Sequence, residues 1–299
     1  MKRFLPALCI WAACWSGVQA QTAETSFTIL VGEPSWIADA QLLAKSLDHE
    51  GALRVLPVLG EGSIQAMQDI TQFSALDSAL VTSDSLAYVK AQNLVGTDEQ
   101  KFSYITAIKP LPIMLIARKN IANITALAGK RIATGPAYSA SFATGEMVLG
   151  AMEIPFLRVA QTQDAAIEAL ANGKADAALV LGTPKNLNRL QAGEFHILPI
   201  VMPTELTQTY SRNTLSNKDA PNLLANNQKI ESISTQLLLA VNDQHFDAQQ
   251  RNRLKQFETE IFKQADFASK AQIEGWARQQ DAQNQLGLNV NIEPTGAQP

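Results

Sequence analysis

The stretch "DSALVTSD", residues 77–84, returns as "DAALVLGTP" at residues 176–184: an Asp, a short run of small or apolar residues, then a polar turn. A run with no strict polar alternation belongs to a strand buried on both faces, as in a helix-covered parallel sheet. In each copy a segment of helical pattern leads into the Asp, "SIQAMQDITQF" (63–73) in the first and "TQDAAIEALANG" (162–173) in the second. Asp77 and Asp176 are therefore expected at the strand start, closing the turn after the helix. The polar ends, "TSD" at 82–84 and "GTP" at 182–184, are expected to face each other across a cleft. On that reading Ser83→Ala weakens solute binding, whereas Asp77→Ala mainly lowers stability.

The same grammar extends outward along the chain. Strands are expected at "FTILVG" (27–32), "LRVLPV" (53–58), "YITAI" (104–108), "PIMLIA" (112–117), "RIATG" (131–135), "HILPIV" (196–201) and "TQLLLAV" (235–241). Helices are expected over "SWIADAQLLAKSLDH" and "SASFATGEMVLGAM", among others. This alternation predicts an α/β protein with mostly parallel sheets flanked by helices. It breaks at "KPLPIMLIARKN" (109–120), where Pro110 and Pro112 suit an extended crossover better than a central strand. A second crossover is expected at "SISTQLLLAVND" (232–243). Two crossovers imply two lobes: lobe I from residues 21–112 and 238–299, lobe II from residues 113–237. Leu254, Phe257, Ile261 and Phe262, at helical spacing, are expected to dock the C-terminal helix on lobe I, and the tail "NVNIEPTGAQP" lacks packing residues.

The first twenty residues read as a secretory signal peptide: Lys2 and Arg3, an apolar run from Phe4 to Trp15, then "SGVQA" with Val18 and Ala20 as small residues. The apolar run is about twelve residues, against the ~20 that a bilayer span needs. Cleavage is expected after Ala20, with a periplasmic mature chain. The competing lipoprotein reading would use Cys14 behind Ala12 and Ala13, but Trp11 stands where such sites usually carry Leu. Cys9 and Cys14 both fall in the leader, so the mature chain has neither disulfides nor thiolate chemistry. Loss of Lys2 and Arg3 takes the net charge from −4 to −6, which argues against nucleic acid or anionic membrane as a partner.

In parallel α/β lobes, ligands gather where strands end and helices begin with free backbone N–H groups. Candidate ligand residues at such turns are Ser35 and Trp36, Gly62 and Ser63, Ser83 and Asp84, Tyr138, Ser139 and Ser141, and Gly182 and Thr183. Helix capping explains any one of Ser63, Ser83 and Ser139, taken singly, better than ligand binding does; five polar turns on one cleft are harder to explain by capping alone. The serines would supply neutral donors and Trp36 or Tyr138 an apolar wall. The helix N-termini favour an anionic group such as a carboxylate. Catalytic constellations are absent: His49, His196 and His245 lack metal-ligand spacing, the Asp48 and Glu50 pair reads as solvated surface, and no nucleophile elbow, phosphate loop or dinucleotide fingerprint occurs. No catalytic residues, metal or cofactor are expected.

Three blocks, in order and at the right spacing, resemble the TAXI-type solute receptors of TRAP transporters, which have the type 2 periplasmic binding protein fold. "LPVLGEGSIQAMQDITQFSALDSALVTSD" is similar to the family's Gly-Ser turn, helix and following strand. "IMLIARKNIANITALAGKRIATGPAYSASFATGEMVLGAMEI" is similar to its crossover strand, "i.dLkGkrv..G..gSGt" turn and long helix. "AAIEALANGKADAALVLGTPKNLNRLQAGEFHILPI" resembles its "a..aL..GkiDA.fv..g.P" segment. The resemblance covers nearly all of the mature chain. It departs at Gly32-Glu33-Pro34-Ser35-Trp36, which lacks the paired glycines and tyrosines of the "GS.gg.Yy" signature, and at Ala140, where Gly is usual. It implies a monomeric two-lobed receptor without cofactor. Such a receptor closes over a small solute, a carboxylate or an amino acid such as glutamate, and hands it to membrane permease subunits. An ABC-importer binding protein, or a non-transport sensory or interaction protein of the same fold, are the alternatives.

Overall fold

Burial of apolar strands on both faces organises the chain into a curled α/β sheet with helices packed against it. The computed structural model describes residues 26–47, 53–95 and 102–268. The expected leader with Cys9 and Cys14, His49, the Asp48 and Glu50 pair, and the tail lie outside the described residues, as do the side chains of His245 and Phe262. Among the described residues the strands are β1 (Ser26–Val31), β2 (Arg54–Leu59), β3 (Ser78–Thr82), β4 (Ser103–Arg118), β5 (Arg131–Thr134), β6 (Leu157–Ala160), β7 (Ala177–Leu181), β8 (Phe195–Leu198), β9 (Ser211–Leu215) and β10 (Ile230–Val241). The α-helices are α1 (Ile37–Leu47), α2 (Ser63–Gln72), α3 (Ser83–Ala91), α4 (Ala140–Ala151), α5 (Gln163–Ala171) and α6 (Ala248–Ala268).

The strand order is β2-β1-β3-β10-β4-β7-β5-β6, with β8 added to β4 and β9 to β10. The fold is two-lobed. In one lobe β2, β1 and β3 run parallel; in the other β7, β5 and β6 do the same. Two long antiparallel strands, β4 and β10, pass from one lobe to the other and pair with each other between residues 103–112 and 234–241.

The repeated "ALV" core behaves as its composition dictates. In β3, Leu80 joins the cluster of Phe27, Ile29 and Phe257, while Ala79 and Val81 face Ile64 and Met67 of α2 and Leu86 and Val89 of α3. In β7, Leu179 and Leu181 face one way and Ala178 and Val180 pack against Ile167 and Leu170 of α5. The two Asp residues are equivalent as well. Asp77 accepts from Thr28 N–H (2.9 Å) and its own N–H donates to Thr28 O; Asp176 makes the same exchange with Arg131 (3.0 and 2.7 Å). Each thus clamps the start of its strand to the parallel neighbour. An Arg then pairs with each carboxylate, Arg253 of α6 in the first lobe and Arg131 itself in the second.

One expectation is corrected. The segment with Pro110 and Pro112 is not a break from the sheet but the middle of β4, a 16-residue strand flanked by β10 and β7. Pro112 fits because its carbonyl accepts from Gly182 N–H (2.8 Å), a role needing no proline donor, and the pairing with β10 is irregular between Ala107 and Lys109, just before Pro110. As expected, Leu254, Phe257 and Ile261 of α6 are buried, and Phe257 stacks on Phe27 of β1 with ring centres 4.0 Å apart.

Candidate functional site

The turns that end β1 and β7, together with β4 and the start of α5, enclose a cavity of about 340 Å³. That size falls in the lower range of small-molecule sites. Pro34, Ser35 and Trp36 contribute from the first lobe, Gln163, Asp164 and Gly182 to Lys185 from the second, and Lys109 and Leu111 from β4. Gly182 has φ +67, a left-handed backbone that favours glycine, and it turns the chain from β7 into the cavity wall. Gln163, at the first turn of α5, accepts from Leu181 N–H (2.5 Å) and donates to Ser35 Oγ (3.3 Å), tying the two walls together. Lys109 is paired with Asp39 of α1 (2.6 Å), and Lys185 is exposed at the other side. Lys185 and the α5 N-terminus suit an anionic group, with Lys109 available only in exchange for Asp39, while the Asp164 carboxylate suits an amine.

Of the expected ligand residues, Ser35, Trp36, Gly182 and Thr183 line this cavity. Of the other seven, Tyr138 is 39% exposed at the surface of the lobe contact, and the remaining six are buried where the lobes touch. Ser83 and Asp84 open α3. Ser83 Oγ lies 3.0 Å from Thr235 Oγ1 and accepts from Gln236 N–H (3.1 Å), so it ties the helix to β10. Asp84 is fully buried; its carboxylate accepts from Thr235 Oγ1 (2.9 Å) and Ser85 N–H (3.0 Å) on one oxygen and from Thr144 Oγ1 (2.5 Å) and Tyr210 Oη (2.9 Å) on the other. Burial, and then the Asp84 charge, push the Tyr210 phenol well above its ordinary value. Ser139 caps α4, accepting from Phe142 N–H (3.2 Å) and donating to Pro136 O (2.8 Å), with Ser141 Oγ 3.5 Å away.

Gly62 and Ser63 open α2, against the other lobe. Tyr138 O accepts from Ile64 N–H (2.9 Å) and Gln65 N–H (3.4 Å), so a carbonyl of the second lobe seats on a helix start of the first. A Cβ at Gly62 would fall 2.2 Å from Tyr138 O, so only glycine permits this approach. Beside it lies a residue absent from the sequence-based site, Glu33. Only 5% exposed, it accepts from Ala140 N–H (2.7 Å) at the start of α4, and its carboxyl lies near the Ser63 N–H at the start of α2. Burial raises its carboxyl to about 7 against the lowering effect of those two amides. The only sequence signal for Glu33 was its place in the turn that departs from the "GS.gg.Yy" signature.

His196 of β8 bonds through Nε2 to Ile121 O (2.8 Å), a structural role. Among the described residues no group of three or more His, Cys, Asp or Glu is placed to hold a metal ion, and no helix is long and apolar enough to cross a membrane.

A two-lobed α/β scaffold with a small cavity walled by strand-end turns of both lobes defines the class of periplasmic binding protein folds. The profile of the NMT1-like family matches residues 34–243, and the chain belongs to that family. No curated protein sequence matches the chain. A solved structure described as a periplasmic transporter shares the fold, with a TM-score of 0.52 and 12% identity over 89% of this chain and 95% of that one. A TctC solute binding protein from Polaromonas is similar at a TM-score of 0.47 and 13% identity, covering 88% of each chain. The alkanesulfonate-binding protein SsuA from Xanthomonas axonopodis pv. citri gives 0.47 and 12%, over 82% of this chain and 76% of that one.

Proposed function

We propose that this protein is an exported, non-catalytic solute receptor of an importer, which captures a small carboxylate or amino acid such as glutamate between its lobes. The cavity of about 340 Å³ that both lobes wall, with Lys109, Lys185 and Asp164 on its lining, carries the reading. Lys185 matches a carboxylate, Asp164 an ammonium, and Trp36 supplies an apolar wall. Lobe I comprises residues 21–112 and 238–299 and lobe II residues 113–237, and any hinge between them acts through β4 and β10. The TRAP-type importer of the TAXI group is the proposed partner, on the strength of the three sequence blocks. Export would leave a mature N-terminus at Gln21, with the receptor monomeric in the periplasm.

A thermal-shift screen of the mature protein against small carboxylates and amino acids tests the binding. At least one solute should raise Tm, and Lys185→Ala should reduce that rise. If no member of the panel shifts Tm, the receptor reading is lost. A permease of large and small membrane subunits encoded beside this gene fits TRAP, whereas an ATPase subunit fits an ABC importer.

Glu33 and Asp84 favour a second reading. Where a receptor would offer free helix N-termini to its solute, this chain has its own carboxylates in place. A sensory or interaction protein that kept the two-lobed fold would have that property, and a gene neighbourhood without any permease would support it.

A further inference from the structure

We infer that Glu33 is an internal ligand: its carboxyl occupies the first turn of α4, where that turn meets the start of α2, latching the lobes without a solute and excluding a solute carboxylate from that seat. The opening turns of a helix leave N–H groups without intrahelical partners, and buried ones must be satisfied elsewhere. In α2 the N–H groups of Ile64 and Gln65 go to Tyr138 O, and that of Ser63 lies near the Glu33 carboxyl, lowering its pKa against burial. In α4 the N–H of Ala140 goes to Glu33 and that of Phe142 to Ser139 Oγ.

The contact is reciprocal across the lobes. Glu33, from the turn after β1, reaches α4 of the second lobe. Tyr138, from the turn before α4, reaches α2 of the first. A third tie lies beyond them, Asp84 of α3 accepting from Thr144 of α4. The side chain of Ser63 points to a seat built for more than a helix cap: its Oγ is fully buried, has no partner, and would lie 3.0 Å from a Cβ at Gly32, next to Glu33. That unpaired, buried hydroxyl is a spare donor beside the turn that carries Glu33.

The inference goes beyond the receptor reading, because it concerns the lobes in the absence of solute; a solute panel without a hit leaves it standing. Its test uses the mature chain in solute-free buffer, with small-angle scattering for lobe closure and Tm in sodium acetate against sodium chloride at equal ionic strength. Wild type should be compact, and its Tm the same in both salts. Glu33→Ala should have a larger radius of gyration, and acetate should raise its Tm by several degrees and restore compactness by entering the vacated seat. Glu33→Gln, which keeps an oxygen to accept from the same N–H groups, should remain compact. A wild-type chain that is open in solute-free buffer overturns the inference, as does an acetate response equal in wild type and Glu33→Ala. Should Glu33→Ala fail to fold, the compactness of wild type and Glu33→Gln still decides the matter.

Discussion

At the scale of single residues, burial decides which acids resist ionising, and it raises the carboxyls of both Glu33 and Asp77. Glu33 has its carboxyl raised from 4.5 to about 7, so the folded state binds its proton more tightly than the unfolded chain does. Its contribution to stability is fully present below pH 4.5 and declines as pH rises towards 7. The shift corresponds to about 3 kcal/mol. Asp69 and Glu146 lie further along α2 and α4 and Asp84 heads α3, so the groups facing Glu33 are backbone amides. Glu33→Gln should therefore flatten this part of the pH dependence and be the more stable protein at pH 8, as denaturant melts at pH 5 and pH 8 would reveal. The paired Asp residues differ by burial. Asp77 is 1% exposed and pairs with the half-buried Arg253, so Asp77→Ala removes a charge-assisted bond and the acceptor of Thr28 N–H, a loss of about 1.5–3 kcal/mol in denaturant melts. Asp176 is more exposed, and its Arg131 holds its carboxyl below the usual carboxylate range; Asp176→Ala should lose about 1 kcal/mol or less through that pair. The scaffold role of both was legible because it depends on position at a strand start. Glu33 was not, since its partner Ala140 lies 107 residues away and nothing local announces the pairing.

At the scale of elements, legibility followed burial. β1, β3, β7 and β10 are apolar on both faces and stood out as runs, and Phe257 and its neighbours marked the inner face of α6. Phe257→Ala removes the ring stacked on Phe27 from the centre of the first lobe and should destabilise by about 3–5 kcal/mol, measured by urea denaturation. β6 and β9 escaped because an edge strand need not be apolar. β6 exposes Leu157 and sends Arg158 over the rings of Phe142 and Phe156, while β9 alternates exposed and half-buried positions in a stretch rich in Asn and Ser. α3 escaped because "SDSLAYVKA" carries little amphipathic contrast: its first three residues are polar yet buried at the lobe contact. For the candidate site, the turns were legible and their division of labour was not. Whether a strand-end serine lines a cavity, like Ser35, or braces a helix, like Ser83, depends on what the other lobe presses against it.

At the scale of the whole molecule, the closeness of the lobes depends on one missing side chain. Gly62→Ala would set a methyl 2.2 Å from Tyr138 O and must move one lobe away from the other. Because the clash lies between lobes and not within either core, the variant should keep its secondary structure by circular dichroism while its radius of gyration rises in scattering. It should also release Glu33 from Ala140, making the backbone amides of α4's first turn exchange with solvent faster than in wild type.

The placement of β10 also governs how the protein can be made. It lies between β3 and β4, yet it is the last strand in the described chain, 148 positions after Thr82 by its own first residue. Until it arrives, the apolar edge of β3 has no partner, so the nascent first lobe presents an open, sticky strand while the second lobe has all of β5, β6 and β7 to hand. Such distant pairings are slow to form, and unpaired edges aggregate in the interval. The late capture of the β10 strand is therefore the step expected to pace folding, and pulsed hydrogen exchange during refolding should find its amides protected after those of β5 and β7.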